Sequence, residues 1–331
     1  MNFLSKFLLF TLILSACGPV TPVSLPISTP REYQDFAYQM VWSPDNSLIA
    51  LTANTGLYVY DTKTYKQLAA FEGLGGATAV FSKNYLAAVI HEKVFVWKLK
   101  DFSLLFSQSA SNQVYFQNVA ISPDEKTLVT AERERTRYWS LPAGEIIDEV
   151  QSSNFMSDMI FSDADTLIVA DSYLGTVQEW DVQTKKKIRA FSFSRPVANL
   201  NLSQDGKLVL VDYGDNGFET WNVGTGKLNH GYADIISAIG WNNLSGDHQT
   251  VVVWGYGVGE ESGLSVWDLS MHKKVHEFST PFVNGDGWRY GALNSDGTVL
   301  AASNNQGYVY FYDIKDGKKI DEIYLPYKFE F

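Results

Sequence analysis

Between residues 37 and 325 the chain alternates short apolar runs with clusters of Pro, Asp, Asn and Gly. Runs of this length, bounded by turn chemistry, read as β-strands rather than helices. The stretch 198–231 shows the pattern at its clearest. Ala198-Asn-Leu-Asn-Leu202 alternates apolar with polar, Lys207-Leu-Val-Leu-Val211 is almost continuously apolar, and Gly217-Phe-Glu-Thr-Trp221 alternates again before Lys227-Leu-Asn-His230. Four strands are therefore expected in about 35 residues, the second buried on both faces. No segment holds a long 3.6-residue apolar period, so almost no helix is expected.

This four-run unit recurs. An aromatic closes the third run at Tyr60, Trp97, Trp139, Trp180, Trp221, Trp267 and Tyr312, in steps of 37, 42, 41, 41, 46 and 45 residues. A second landmark, an apolar residue followed by Ser or Asn, precedes each aromatic: Trp42-Ser43, Phe81-Ser82, Ile121-Ser122, Phe161-Ser162, Leu202-Ser203, Trp241-Asn242 and Leu293-Asn294. Most lead into Pro-Asp or Asp-Gly turns. Two landmarks on one period of ~40–45 residues define seven repeats. They are placed at 37–72, 78–107, 115–151, 157–194, 197–231, 236–279 and 288–325, with loop insertions in the sixth near 244–249 and 255–263.

The apolar-Ser-Pro-Asp turn, the apolar strand and the closing Trp180-Asp181, Trp267-Asp268, Tyr60-Asp61 and Tyr312-Asp313 pairs resemble WD40-type repeats. The Gly-His pair that usually opens such a repeat is absent from all seven units, so the signature is degenerate. The resemblance implies an all-β, seven-bladed propeller over residues 37–331. It also implies two faces: the first-to-second and third-to-fourth turns on the bottom, the second-to-third and blade-to-blade loops on top. Two closures fit the ring. Lys318-Lys-Ile-Asp-Glu-Ile-Tyr324 can serve as the last blade's own outer strand, while Arg31-Glu-Tyr-Gln-Asp-Phe36 can pair there instead or add an extra edge.

Residues 1–16 carry one positive charge, a short apolar run (Phe7 to Leu14) and small residues, the form of a secretory signal peptide. The run is well short of the ~20 residues needed to span a bilayer. Leu14-Ser-Ala-Cys17 resembles a bacterial lipobox, which implies lipidation of Cys17 and an extracytoplasmic protein held on a bacterial membrane. Cys17 is the single cysteine in the sequence, so it has no disulfide partner within the chain. The alternative is an ordinary signal peptide with an incidental cysteine. Residues 17–36 then form a Pro-rich tether, with four Pro and no charge between positions 18 and 30.

A net charge of −11 excludes the basic footprint of a nucleic-acid-binding protein. No nucleophile, phosphate-loop or zinc motif is present, so no catalytic residue, metal or cofactor is assigned. His272 and His276, four apart, read as turn and strand residues rather than a metal pair. On the face assignment implied by the resemblance, lysines such as Lys126, Lys207 and Lys318 gather in bottom turns. Arg133, Arg135, Arg137, Arg195 and Arg289 gather at top loops with Trp288, Tyr173 and Tyr213. Arginine and aromatics are enriched at interfaces. The expectation is a membrane-anchored, non-catalytic scaffold that binds a protein or peptide partner through Arg133, Arg135, Arg137, Arg195, Trp288 and Arg289. Two alternatives stand beside it: a hydrolase-like propeller enzyme using acids such as Asp171, Asp212 or Asp286, and a small-ligand sensor using the central channel.

Overall fold

The computed structural model describes residues 35–110, 115–132, 135–151, 158–195, 197, 199–203, 205–213, 217–232, 243–245, 248–255, 263–279 and 287–325. The signal, Cys17 and the tether as far as residue 34 lie outside them. Seven four-stranded antiparallel sheets stand in a ring, each built from four consecutive strands, with no helix among the described residues. The protein is an all-β seven-bladed propeller. Blade 1 runs Gln39–Trp42, Leu48–Thr52, Gly56–Asp61, Gln67–Glu72 from the channel outwards, and blade 7 runs Trp288–Leu293, Val299–Asn304, Tyr308–Asp313, Lys319–Tyr324.

The sequence landmarks have mechanical roles. Every landmark aromatic sits at a β-bulge between the third and fourth strands, with the register shifting at Tyr60, Trp97, Trp139, Trp180, Trp221, Trp267 and Tyr312. Five residues further on, each outer turn holds a residue at positive φ: Tyr65, Phe102, Gly144, Lys185, Gly226, His272 and Gly317. That residue packs towards the preceding blade. The Tyr65 ring lies tilted against Phe311 at 4.6 Å, Lys185 Nζ lies 4.2 Å over the Tyr138 ring, and His272 lies 5.0 Å from Tyr232. The Asp after the aromatic caps the same turn, Asp61 Oδ1 accepting from Thr64 N at 2.7 Å and Asp181 Oδ1 from Thr184 N at 2.6 Å.

The Ser landmark works at the inner turn. In blade 1 the Ser43 hydroxyl donates to Asp45 at 2.7 Å and accepts from Leu48 N at 2.9 Å, locking the first strand to the second. Ser122 and Ser203 repeat this arrangement. Three residues past the landmark, five blades again place a positive φ: Asn46, Glu125, Gly206, His248 and Gly297. Where that residue has a polar side chain, it reaches the preceding blade. Asn46 accepts from Ser295 N at 3.0 Å, Glu125 accepts from Ser82 Oγ at 2.7 Å, and His248 Nε2 meets Asp205 at 2.9 Å.

The core is divided in the same way. Seven clusters of buried apolar residues lie one at each blade-to-blade interface. Each blade therefore buries its apolar surface only against its neighbours. The interface between blades 7 and 1 is one of the seven, with Trp42, Ile49 and Leu51 packed against Ala301, Val309 and Phe311. Among the described residues no strand is exchanged at this join, and the last blade keeps its own outer strand. Residues 35–37 fasten it instead. Ser303 Oγ donates to Ala37 O, and the Asp35 carboxylate accepts from Asn54 N and Thr55 N. Gly307, at φ +84°, lies so close to Asp35 O and Leu325 O that a Cβ would fall 2.5 and 2.9 Å from them.

Blade 6 corrects one reading. Its inner strand is Asn243–Leu244, and Ser245 rather than Asn242 occupies the landmark position, bonded to Thr250 at 2.9 Å as Ser43 is to Leu48. Ser245 and Thr250 stand five positions apart, as Ser43 and Leu48 do, so the insertion expected near 244–249 does not lengthen this turn. The greater length of this blade falls at 256–262, outside the described residues.

Candidate functional site

The antiparallel order puts the second-to-third turns and the blade-to-blade loops on one face, and the described members of the predicted arginine–aromatic set occupy it unevenly. Arg137 is 2% exposed. It lies inside the third strand of blade 3, with its guanidinium 2.6 Å from Glu132 Oε1 and Nε donating to Glu149 Oε1 at 2.8 Å. Burial pushes the Glu132 carboxyl up, and Arg137 and then Arg135 pull it back. Trp288 is 4% exposed and belongs to the interface of blades 6 and 7. Its indole donates to Phe278 O at 2.7 Å, and its ring meets Tyr310 edge-on. Arg137 ties together three strands of blade 3 and Trp288 packs the seam between blades 6 and 7, so both side chains are buried rather than at the surface.

Three arginines remain at the surface, on different blades. Arg135 pairs with Glu149 at 3.0 Å on blade 3. Arg289, on blade 7, lies 5.5 Å over the Phe36 ring and donates to Asn305. Arg195 stands between blades 4 and 5. Its guanidinium covers the Tyr213 ring at 3.7 Å and pairs with Glu219 at 2.6 Å. Glu219 also accepts from Tyr213 Oη at 2.7 Å and Trp221 Nε1 at 2.8 Å. Burial, and then the Glu219 carboxylate, push the Tyr213 hydroxyl up to about 12. Arg133 falls outside the described residues.

The exposed apolar residues sharpen the picture. Among the described residues, most large exposed hydrophobics lie on outer strands or the bottom outer turn of blade 6. The exceptions are Tyr115, Tyr173 and Leu174, all on the top face. Tyr173, 77% exposed, and Leu174 form the tip of the second-to-third turn of blade 4. That turn is fixed from below by Asp171, a buried carboxylate that accepts from Leu174 N at 2.9 Å. Burial raises the Asp171 pKa, partly countered by the Leu174 and Tyr173 backbone bonds. Gly175, in the same turn, has Val197 as its nearest neighbour across the gap, which brings the Tyr173–Leu174 tip beside the loop carrying Arg195. The sequence pointed to Arg195 and Tyr173 separately; it did not single out Leu174, whose signal is an apolar residue at a turn tip.

The remaining candidates resolve into local roles. Asp171 is a turn cap, Asp212 is buried at the end of its strand, and Asp286 is outside the described residues. His272 packs against Tyr232, while His276 Nε2 bonds Ile314 O at 2.7 Å, so the two imidazoles do not converge. No group of three or more His, Cys, Asp or Glu able to hold a metal occurs among the described residues. The bottom lysines pair within their own turns, Lys126 with Asp124 at 3.2 Å, Lys207 with Asp205 at 3.0 Å and Lys318 with Asp316 at 2.7 Å.

Along the axis runs a cavity of about 1200 Å3, lined by the innermost strands of all seven blades. Four residues before the landmark its wall carries Gln39, Thr78, Asn118, Asp158 and Tyr290, and two residues before it Val41, Val80, Ala120 and Ile160. The axis is thus ringed by one polar and one mainly apolar level. No protein-family model matches the chain.

Proposed function

We propose that this propeller is a degenerate WD40-like lipoprotein, anchored through Cys17 to a bacterial membrane and acting outside the cytoplasm as a non-catalytic scaffold for a protein or peptide partner. The observation that carries the reading is the Tyr173–Leu174 tip. Two apolar side chains are held in solvent by a buried carboxylate beneath their turn, next to an arginine stacked on Tyr213. Exposed aromatic and apolar side chains on a rigid turn, flanked by arginine, have the composition of an interface core. The docking surface is therefore centred on Tyr173, Leu174 and Arg195, with Arg135 and Tyr115 on the flank of blade 3. A peptide segment offering an apolar side chain and a carboxylate matches this chemistry.

Placing a photo-crosslinking amino acid at position 173 of the lipoprotein in its native membrane tests the reading. A discrete protein adduct at position 173, absent when the same group stands at position 126 on the opposite face, is the expected result. Adducts at 126 alone would place the partner on the bottom.

A further inference from the structure

Asn201 interrupts the apolar level of the axial cavity. The residues at its position in blades 1 to 4 are Val41, Val80, Ala120 and Ile160. Blade 5 has an asparagine there, as blade 6 has Asn243, and Asn201 is 6% exposed with an Nδ2 that has no hydrogen-bond partner. A second irregularity lies two blades away. In blade 3 the pairing of the first two strands skips Gln117, because Ala131 faces Asn118 and Glu132 faces Phe116. Bulges of this kind re-aim side chains and concentrate beside functional sites. Gln117 enters the cavity wall through it, and its buried Oε1 likewise has no partner.

Buried amide groups are nearly always paired, so two unpaired ones in a single cavity call for a ligand or a specific cost. They are a donor and an acceptor, and between their blades stands Asp158 of blade 4. Its carboxyl accepts from Leu202 N at 2.8 Å and from Met159 N at 2.8 Å while lying in the cavity wall. Burial raises the Asp158 pKa, which weakens it as a counter-ion for a cation. Lys83 is the single cationic side chain in the described lining, and it belongs to the bottom rim rather than to the polar level. The wall therefore offers amides, hydroxyls, the Asp158 and Asp205 carboxyls and the Tyr38 and Tyr290 phenols, with no cation at the level of Gln117 and Asp158.

We propose that the axial cavity is a binding site for a neutral polyhydroxylated small molecule, a mono- or disaccharide, with Asn201 Nδ2 and Gln117 Oε1 supplying its orienting hydrogen bonds. A sugar hydroxyl donates and accepts at once, so it satisfies both orphaned groups, and a phenol and a carboxyl complete the kind of lining such rings need. At about 1200 Å3 the cavity exceeds the ~300–1,000 Å3 of ordinary small-molecule pockets, leaving room for two sugar rings. The site is separate from the top-face docking surface and stands or falls independently of it.

Isothermal titration calorimetry on the full-length protein, in a detergent without sugar headgroups, tests the site. The probes are glucose, N-acetylglucosamine, maltose and trehalose, with glucuronate and glucosamine as charged counterparts. At least one neutral sugar is expected to bind below about 10 mM, and Asn201→Val and Gln117→Leu should each weaken it by about tenfold or more. Asn201→Val gives blade 5 the apolar residue that blades 1 to 4 carry at this position, so Tm of the unliganded protein should hold or rise by roughly 2 °C. Failure of all four neutral sugars to bind, undiminished binding in either variant, or tighter binding of a charged counterpart would overturn the proposal.

Discussion

Asp171 and Leu174 are joined by a hydrogen bond of 2.9 Å, from the leucine's backbone nitrogen to a carboxylate that is itself buried. The bond sets the shape of the one top-face turn, among the described residues, whose tip is apolar and exposed. Asp171→Ala removes the acceptor and leaves the turn's N–H groups without it, which should cost about 1–3 kcal/mol in chemical denaturation. Asp171→Asn keeps one acceptor and should cost less. Both are expected to weaken partner capture, the alanine more.

The buried pair of Arg137 and Glu132 makes a stability prediction. Arg137→Ala leaves Glu132 buried without its 2.6 Å partner, a situation that typically costs about 3–5 kcal/mol. Arg135→Ala, at an exposed pair, should cost no more than about 1 kcal/mol. Thermal and urea unfolding of the two variants side by side checks the contrast.

Trp288 and Arg289 are adjacent in sequence and opposite in role. Trp288→Ala should destabilise by about 3–5 kcal/mol, as expected for a large aromatic removed from a core. Arg289→Ala, at an exposed position, should fall within about 0.5 kcal/mol of the parent.

Asp205 links blade 5 to blade 6 and gives a pH signature. Burial acts to raise its pKa, but hydrogen bonds from Lys207, Ser203 and His248 outweigh that and bring it down to about 2. A carboxylate depressed in the folded state stabilises above its unfolded pKa, near 4, and loses that contribution as the pH falls towards 2. Asp205→Asn should therefore lower stability by about 2 kcal/mol at neutral pH, with the difference from the parent shrinking below about pH 4. A pH series of urea unfolding curves measures it.

The propeller was legible because each repeat carries its own mechanics. The aromatic marks a bulge, the Asp caps the next turn and the Ser locks the first two strands, so side-chain chemistry recurs with the geometry that needs it. The site was less legible, because position within a strand decides burial and the arginine–aromatic tally ignored it. Trp288 lies six residues before its landmark, the position of Ala37 and Phe116, and all three are buried. Arg137 lies two residues before its aromatic, inside a strand, where other blades carry half-buried Tyr58, Phe95, Gln178, Glu219, Ser265 and Tyr310. Aligning the repeats column by column places both inside strands or at strand ends rather than at loop tips, and sets Asn201 and Asn243 apart in a column that is apolar in the other five blades. The sixth landmark was displaced because Trp241-Asn242 imitates the apolar-polar pair that Leu244-Ser245 supplies.

Membrane attachment rests on Cys17. Cys17→Ser should remove the site of lipid attachment, so the variant is expected to be released in soluble form or to accumulate as unprocessed precursor. Membrane fractionation with immunoblotting reads the outcome. A variant processed and sedimenting with membranes as the parent does would argue against the anchor.

The most direct measurement is the affinity of the captured partner for the parent and for Tyr173→Ala, Leu174→Ala and Arg195→Ala, with Lys126→Ala and Lys207→Ala as controls on the opposite face. Hot-spot truncations typically cost at least ~2 kcal/mol, or about thirtyfold in Kd. At least one top-face variant should reach that loss with Tm unchanged, while the bottom-face variants stay within about twofold of the parent. Loss of binding in the bottom-face variants, with all three top-face variants binding as the parent does, would contradict the account.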